Sequence, residues 1–117
     1  MQNEKINYIE MPASDLEGTK AFFPAAFGWG FEDFGPDYSA ILNAGIDGGF
    51  FRSSVIMRPQ QGSALVVLRS ESLEASYQRV VEAGGKIEQE TYSFPGGRRF
   101  HFTDPSGNEY AIWGDEL

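Results

Sequence analysis

Ser14-Asp15-Leu16-Glu17-Gly18-Thr19-Lys20-Ala21-Phe22-Phe23-Pro24-Ala25-Ala26-Phe27-Gly28-Trp29 reads as a helix start running into an aromatic-rich helix end. Ser14 with Glu17 matches a capping box, in which two side chains satisfy orphan N–H groups of the first turn. Leu16, Thr19, Ala21, Phe22 and Phe23 then recur at near-helical spacing. Pro24 lacks an N–H and crowds the preceding turn, so a kink or early stop is expected there. The cluster Phe22, Phe23, Phe27 and Trp29 packs such a helix end onto a sheet. Half a chain later the pattern returns. Glu71-Ser72-Leu73-Glu74 opens a second helix, with Ser70 or Ser72 as its cap and Leu73, Tyr77, Val80 and Val81 as its apolar stripe. Gly84-Gly85 ends it, because glycine takes the left-handed conformation without steric cost.

Working outward, each helix is preceded by a short apolar strand, residues 6–11 and 64–68, and followed by three strand-like runs. These runs are 30–34, 38–44 and 49–53 in the first half, and 86–92, 98–103 and 108–113 in the second. Gly35-Pro36-Asp37, Ile46-Asp47-Gly48 and Asp104-Pro105-Ser106-Gly107 have turn chemistry between them. The duplication predicts an α+β chain of two tandem βαβββ modules, about residues 5–58 and 63–115, joined by the polar linker 58–63. The expected architecture is one domain over residues 1–117: a curved mixed sheet around a cavity, with the helices outside.

Bulk composition narrows the function. Apolar residues make up 41% of the 117, with ten Phe, five Tyr and two Trp, enough for a sizeable core. No apolar run approaches the roughly 20 residues that span a bilayer, and Met1-Gln2-Asn3-Glu4-Lys5 lacks the order of a signal peptide. With no cysteine there is no disulfide or thiolate chemistry, and a cytoplasmic location is expected. A net charge of −8 repels phosphate backbones and anionic lipid, so neither nucleic acid nor a membrane is an expected partner.

The Ser14-Asp15-Leu16 helix start, the segment from Ala21 to Trp29, the Gly84-Gly85 helix end and Asp104-Pro105-Ser106-Gly107-Asn108 occur in an order that resembles the glyoxalase / bleomycin-resistance / extradiol-dioxygenase superfamily, the vicinal oxygen chelate fold. The resemblance covers nearly the whole chain. It implies a cavity that holds a divalent metal through side chains on four strands. Carried over one position at a time, those places fall on Tyr8, Leu65, Ala111 and the stretch from Gly49 to Phe51. Such metals need imidazole or carboxylate donors, and none stands there. The chain therefore resembles a member without the usual metal centre, and no cofactor is expected. The resemblance also implies a homodimer.

If Tyr8 faces the cavity, strand alternation puts Glu10 there too. By the same rule Ala111 brings Glu109 and Trp113, although Glu109 follows a turn, which favours exposure. Arg99 and His101 are expected inside, with Phe100 and Phe102 packed under the helices, and Leu65 and Val67 as an apolar wall. Each has a plainer alternative. Tyr8 and Trp113 suit a core lining as well as a stacked ligand. Arg99 either pairs with Glu10 or Glu109 or holds a ligand carboxylate. His101 is either an ordinary strand histidine or, beside Glu10 or Glu109, a general acid–base. The expected function is metal-independent binding of a small organic molecule. The bleomycin-resistance branch, where an acidic protein sequesters a cationic aromatic drug, illustrates that mode. The alternatives are a metal-independent isomerase or lyase using His101 with Glu10 or Glu109, and, if the strand register is displaced, a metal-dependent lactoylglutathione-lyase-like enzyme.

Overall fold

The computed structural model describes residues 3–115; Met1 and Gln2 at one end, and Glu116 and Leu117 at the other, lie outside them. Strand β1 (Tyr8–Ala13) leads into helix α1 (Leu16–Phe27), followed by β2 (Gly30–Asp33), β3 (Tyr38–Leu42) and β4 (Asp47–Arg52). A 3-10 turn at Pro59–Gln61 occupies the polar linker. Then β5 (Val66–Arg69), α2 (Leu73–Glu82), β6 (Lys86–Phe94), β7 (Gly97–Thr103) and β8 (Glu109–Gly114) repeat the plan. The strands form two four-stranded mixed sheets, ordered β1-β4-β3-β2 and β5-β8-β7-β6. In each, the first strand of the module runs parallel to the last, a pairing that needs the intervening helix as a crossover.

Local chemistry departs from expectation in three places. Asp15, not Ser14, caps α1: its carboxylate accepts from the Gly18 N–H at 2.9 Å. Ser14 instead donates to the Ser106 carbonyl at 3.0 Å. Pro24 does not stop α1, which continues to Phe27. Phe23 and Ala26 on either side of it are buried, and their packing holds the last turn despite the missing N–H. Ser72 occupies the cap position of α2 without a side-chain cap bond, while Ser70 Oγ accepts from the Ser72 N–H. Gly84, at φ 99°, turns the chain out of α2 as expected.

The two helices pack on one another and on the inner faces of both sheets. Phe23 is the hub. Its ring stacks on Trp29 at 4.4 Å and meets Phe50 of the first sheet at 5.6 Å and Tyr110 of the second at 5.5 Å. Phe22 reaches Phe102 at 5.8 Å. Phe100, Phe102, Tyr110 and Ile112 are fully buried under the helices, alongside Met11 and Ile41 of the first module. The aromatic helix end thus joins the modules as well as packing its own sheet.

A buried polar knot seals the same junction. Asp104 accepts from the backbone N–H groups of Ser106 (2.9 Å) and Asn108 (3.1 Å) and from the Tyr110 hydroxyl (2.7 Å). The Asn108 amide donates to the Pro12 carbonyl at 2.6 Å, and its oxygen accepts from the Met57 N–H at 2.8 Å. Burial outweighs the donors and lifts the Asp104 carboxyl to about 6. A carboxyl raised in the folded state adds stability that is present below its ordinary value and lost as pH rises through the folded one. Thermal unfolding should therefore show the protein gaining stability from pH 7.5 to pH 5, with Asp104 contributing about 1.4 kcal/mol by pH 5. Asp104→Asn should gain less over that range. Parallel curves for the two proteins would refute this.

Candidate functional site

Strand alternation gives each sheet one face under the helices and one without such cover. On the second sheet, the face away from the helices carries Arg99, His101, Glu109, Ala111 and Trp113, in the register Arg99↔Trp113 and His101↔Ala111 between β7 and β8. Four side chains there form a continuous chain. Arg99 Nε donates to the Tyr92 hydroxyl oxygen. Tyr92 meets His101 Nε2 at 2.8 Å, and His101 Nδ1 meets Glu109 Oε2 at 2.8 Å. Arginine has no acceptor, so Tyr92 takes that bond through oxygen and its own proton is free to point at Nε2. The neutral imidazole then carries its proton on Nδ1, directed at Glu109. Every bond is satisfied by one arrangement of protons.

Glu109 is only 1% exposed, so it faces inward as strand alternation places it rather than outward as its turn favours. Its backbone N–H donates to the Met57 carbonyl, holding it under the linker. Its second oxygen, Oε1, makes no hydrogen bond and sits 3.3 Å from Arg58 Nη2, which also pairs with Glu88 at 2.6 Å. Arg99 lies over Tyr92 and Phe94, 5.5 and 5.7 Å from the ring centres. Phe94 in turn meets Trp113 edge-on at 6.2 Å, and Arg69 covers Trp113 at 5.6 Å. The outcome is a buried polar chain bordered by aromatic rings.

Tyr8 and Glu10 belong to a separate group on the first sheet. Tyr38 donates to Glu10 at 3.0 Å, and Tyr8 and Tyr38 share a hydroxyl–hydroxyl bond. Burial, then the bonds to Tyr8 and Glu10, push the Tyr38 phenol up. Gly49 permits this, because a Cβ there would lie 2.2 Å from the Tyr38 hydroxyl. The structure therefore joins His101 to Glu109 and not to Glu10, and Arg99 to Tyr92 rather than to either carboxylate. Val67, 41% exposed, pairs with Ala111, and half-buried Leu65 immediately precedes β5. A cleft of about 860 Å³ opens on the helix side between β1 and β5, lined by Ile9, Met11, Leu68, Trp29 and Arg79. Of the expected lining residues only Val67 reaches it.

Tyr92, Arg58 and Glu88 were not legible as site residues. Irregularities in the β6–β7 register between Ile87 and Tyr92 break the alternation that would place Tyr92. The Pro95-Gly96 turn carries the usable signal, since counting back from it sets Tyr92 opposite Arg99. Metal chemistry does not fit the donor set: Leu65 and Ala111 offer no ligand atom, and among the described residues no three His, Cys, Asp or Glu side chains gather around a common point.

Comparison with known proteins places this geometry in context. The Glyoxalase/Bleomycin resistance protein/Dioxygenase superfamily matches residues 5–112. Proteins of Mycobacterium bovis and Mycobacterium tuberculosis that carry a glyoxylase name, CFP32, are 24% identical over 115 residues, covering 92% of this chain and 44% of theirs. The chain thus spans about half the length of these curated relatives. A glyoxalase-related enzyme from Fulvimarina pelagi superposes with a TM-score of 0.77 at 20% identity, over 95% of this chain and 88% of that one. The antibiotic-binding protein TnmS3 from Streptomyces sp. CB03234 gives 0.70 at 23% identity over 99% of both chains. The fosfomycin resistance protein FosX from Listeria monocytogenes gives 0.78 at 16% identity, over 99% and 97%. At these identities the likeness is one of fold.

Proposed function

Since this chain belongs to the Glyoxalase/Bleomycin resistance protein/Dioxygenase superfamily, we propose that it binds a small organic molecule without a metal, on the sheet faces turned away from the helices. The observation that carries this reading is the Arg99–Tyr92–His101–Glu109 chain, with Phe94 and Trp113 beside it. Apolar surface with a few converging polar groups is what small-molecule sites are made of. Leu65 and Val67 supply further apolar lining, while Ala111 between the strands is fully buried, and Tyr8 with Glu10 supplies a second polar group. TnmS3 is an antibiotic-binding protein of the same fold, which supports sequestration as a mode. A homodimer belongs to this proposal. β1 and β5 each pair on one side only, and a free strand edge is a template for another chain. Sedimentation as a monomer at micromolar concentration would remove that part.

Chelator-treated protein should unfold at the same temperature with and without Ni²⁺, Zn²⁺, Mn²⁺, Mg²⁺ or anaerobic Fe²⁺. A metal bound at about 100 times its dissociation constant would add roughly 2.7 kcal/mol. A saturable shift of several degrees with any of them would overturn the metal-free reading.

A second reading rests on the same chain: an isomerase or lyase that removes a proton beside a carbonyl. His101 Nε2 is covered by Tyr92, so the proton would travel in two coupled moves. Tyr92 oxygen takes the proton from the ligand while its own passes to His101, and Glu109 balances the resulting imidazolium. Glu109 thereby fills the carboxylate role. Turnover surviving Tyr92→Phe unchanged would sink this version.

A further inference from the structure

Six arginines are present in the chain, and Arg99 stands apart from the other five. Arg52, Arg58, Arg69 and Arg98 each hold a carboxylate, on Asp37, Glu88, Asp115 and Glu74, at 2.6–3.2 Å. Arg79 donates to the Ala26 carbonyl and to Ser76 Oγ. Arg99 makes one hydrogen bond, from Nε to the neutral phenol of Tyr92. Among the described residues no carboxylate lies within ion-pair reach of it, in a chain with 17 acids against nine bases. A half-buried cation left without an acid in so acidic a protein is costly to desolvate and calls for a counter-charge.

Its neighbours do not provide one. Glu109 is taken by His101 and Arg58, Glu88 by Arg58, and Asp115 by Arg69. The aromatic contacts with Tyr92 and Phe94 hold the guanidinium plane and leave its terminal N–H groups unassigned. A fixed, planar fork of donors matches two oxygens of one anion. We infer that this face takes a small organic anion, a carboxylate or similar oxyanion on an aromatic or apolar body, with Arg99 gripping the charge and Phe94 and Trp113 contacting the body. This rests on the small-molecule reading above and adds the sign of the ligand. The net charge of −8 by itself suits a cation, but the carboxylates nearest this face, Glu109 and Glu88, are already held by His101 and Arg58.

The test uses three probes with one body: 2-naphthoate, 2-naphthalenemethanol and 2-naphthylmethylammonium, titrated calorimetrically into the full chain. The expected result is saturable binding of the naphthoate, at least about tenfold tighter than the alcohol or the cation. Arg99→Met should abolish that preference while the affinity for the alcohol holds, and Arg99→Lys should retain part of it. Equal or tighter binding of the alcohol or the cation overturns the anion assignment and leaves the small-molecule reading intact. No saturable binding of any probe at millimolar concentration overturns both. Sedimentation is the second measurement: Arg99→Met that converts a dimer to a monomer with naphthoate affinity unchanged would assign Arg99 to a subunit contact and overturn the inference.

Discussion

Phe23→Ala is expected to remove about 3–5 kcal/mol of stability and to lower the unfolding temperature by roughly 10–20 °C. The side chain is fully buried, and its ring touches Phe22, Phe27 and Trp29 of its own segment, Phe50 of the first sheet and Tyr110 of the second. Aromatic rings on every side cannot collapse into the space without leaving their own rotamers, so the loss combines transfer and cavity terms. Because the ring bridges both modules, denaturant melts of the variant should remain a single transition seen equally by fluorescence of Trp29 and Trp113 and by far-ultraviolet dichroism. Two separated transitions would mean that the modules are independently stable, contrary to the shared core. A loss below about 1 kcal/mol would mean that the helix end is not the hub.

His101→Ala should act on both stability and chemistry. Glu109 is 1% exposed, its Oε2 accepts only from His101, and its Oε1 has no hydrogen bond at all. Removing the imidazole strands a buried carboxylate with Arg58 at 3.3 Å as its nearest cation, a cost of about 2–3 kcal/mol at neutral pH. His101→Ala combined with Glu109→Gln should recover part of that cost, since a neutral amide needs no counter-charge. Urea titration of wild type, both single variants and the double variant measures it. Strictly additive costs would show that the pair is not coupled. The catalytic arm is separate: an acid–base enzyme loses roughly 100-fold or more in turnover without His101, whereas a binder keeps folding and much of its affinity.

These outcomes bear on how far the chain could be interpreted before its fold was known. The repeated helix start, the glycine helix stop and the turn at Asp104-Pro105-Ser106-Gly107 depend on neighbours a few residues apart, and so did the element order and the α+β plan they implied. Face assignment was equally local: with Phe100 and Phe102 under the helices, alternation alone put Arg99 and His101 on the other side. Even two of the segments that carried the family resemblance, Ser14-Asp15-Leu16 and Asp104-Pro105-Ser106-Gly107-Asn108, were legible separately. That they touch was not. Ser106 Oγ accepts from the Asp15 N–H, 91 positions away, and Ser14 donates back to the Ser106 carbonyl.

The partners of the charged groups belonged to that second class. Glu10 and Glu109 are both carboxylates expected beside His101, and nothing in their spacing separates them. Glu109 wins because β7 and β8 are adjacent antiparallel strands, while Glu10 lies in the other sheet against Tyr38. Pro24 followed the same logic from the other direction, as buried neighbours held a turn that its own backbone disfavours. Secondary structure and facing follow from periodicities of two and 3.6 residues, which any short window contains. Which acid meets which base depends on contacts between strands and modules that are distant along the chain and become neighbours only through the shared core.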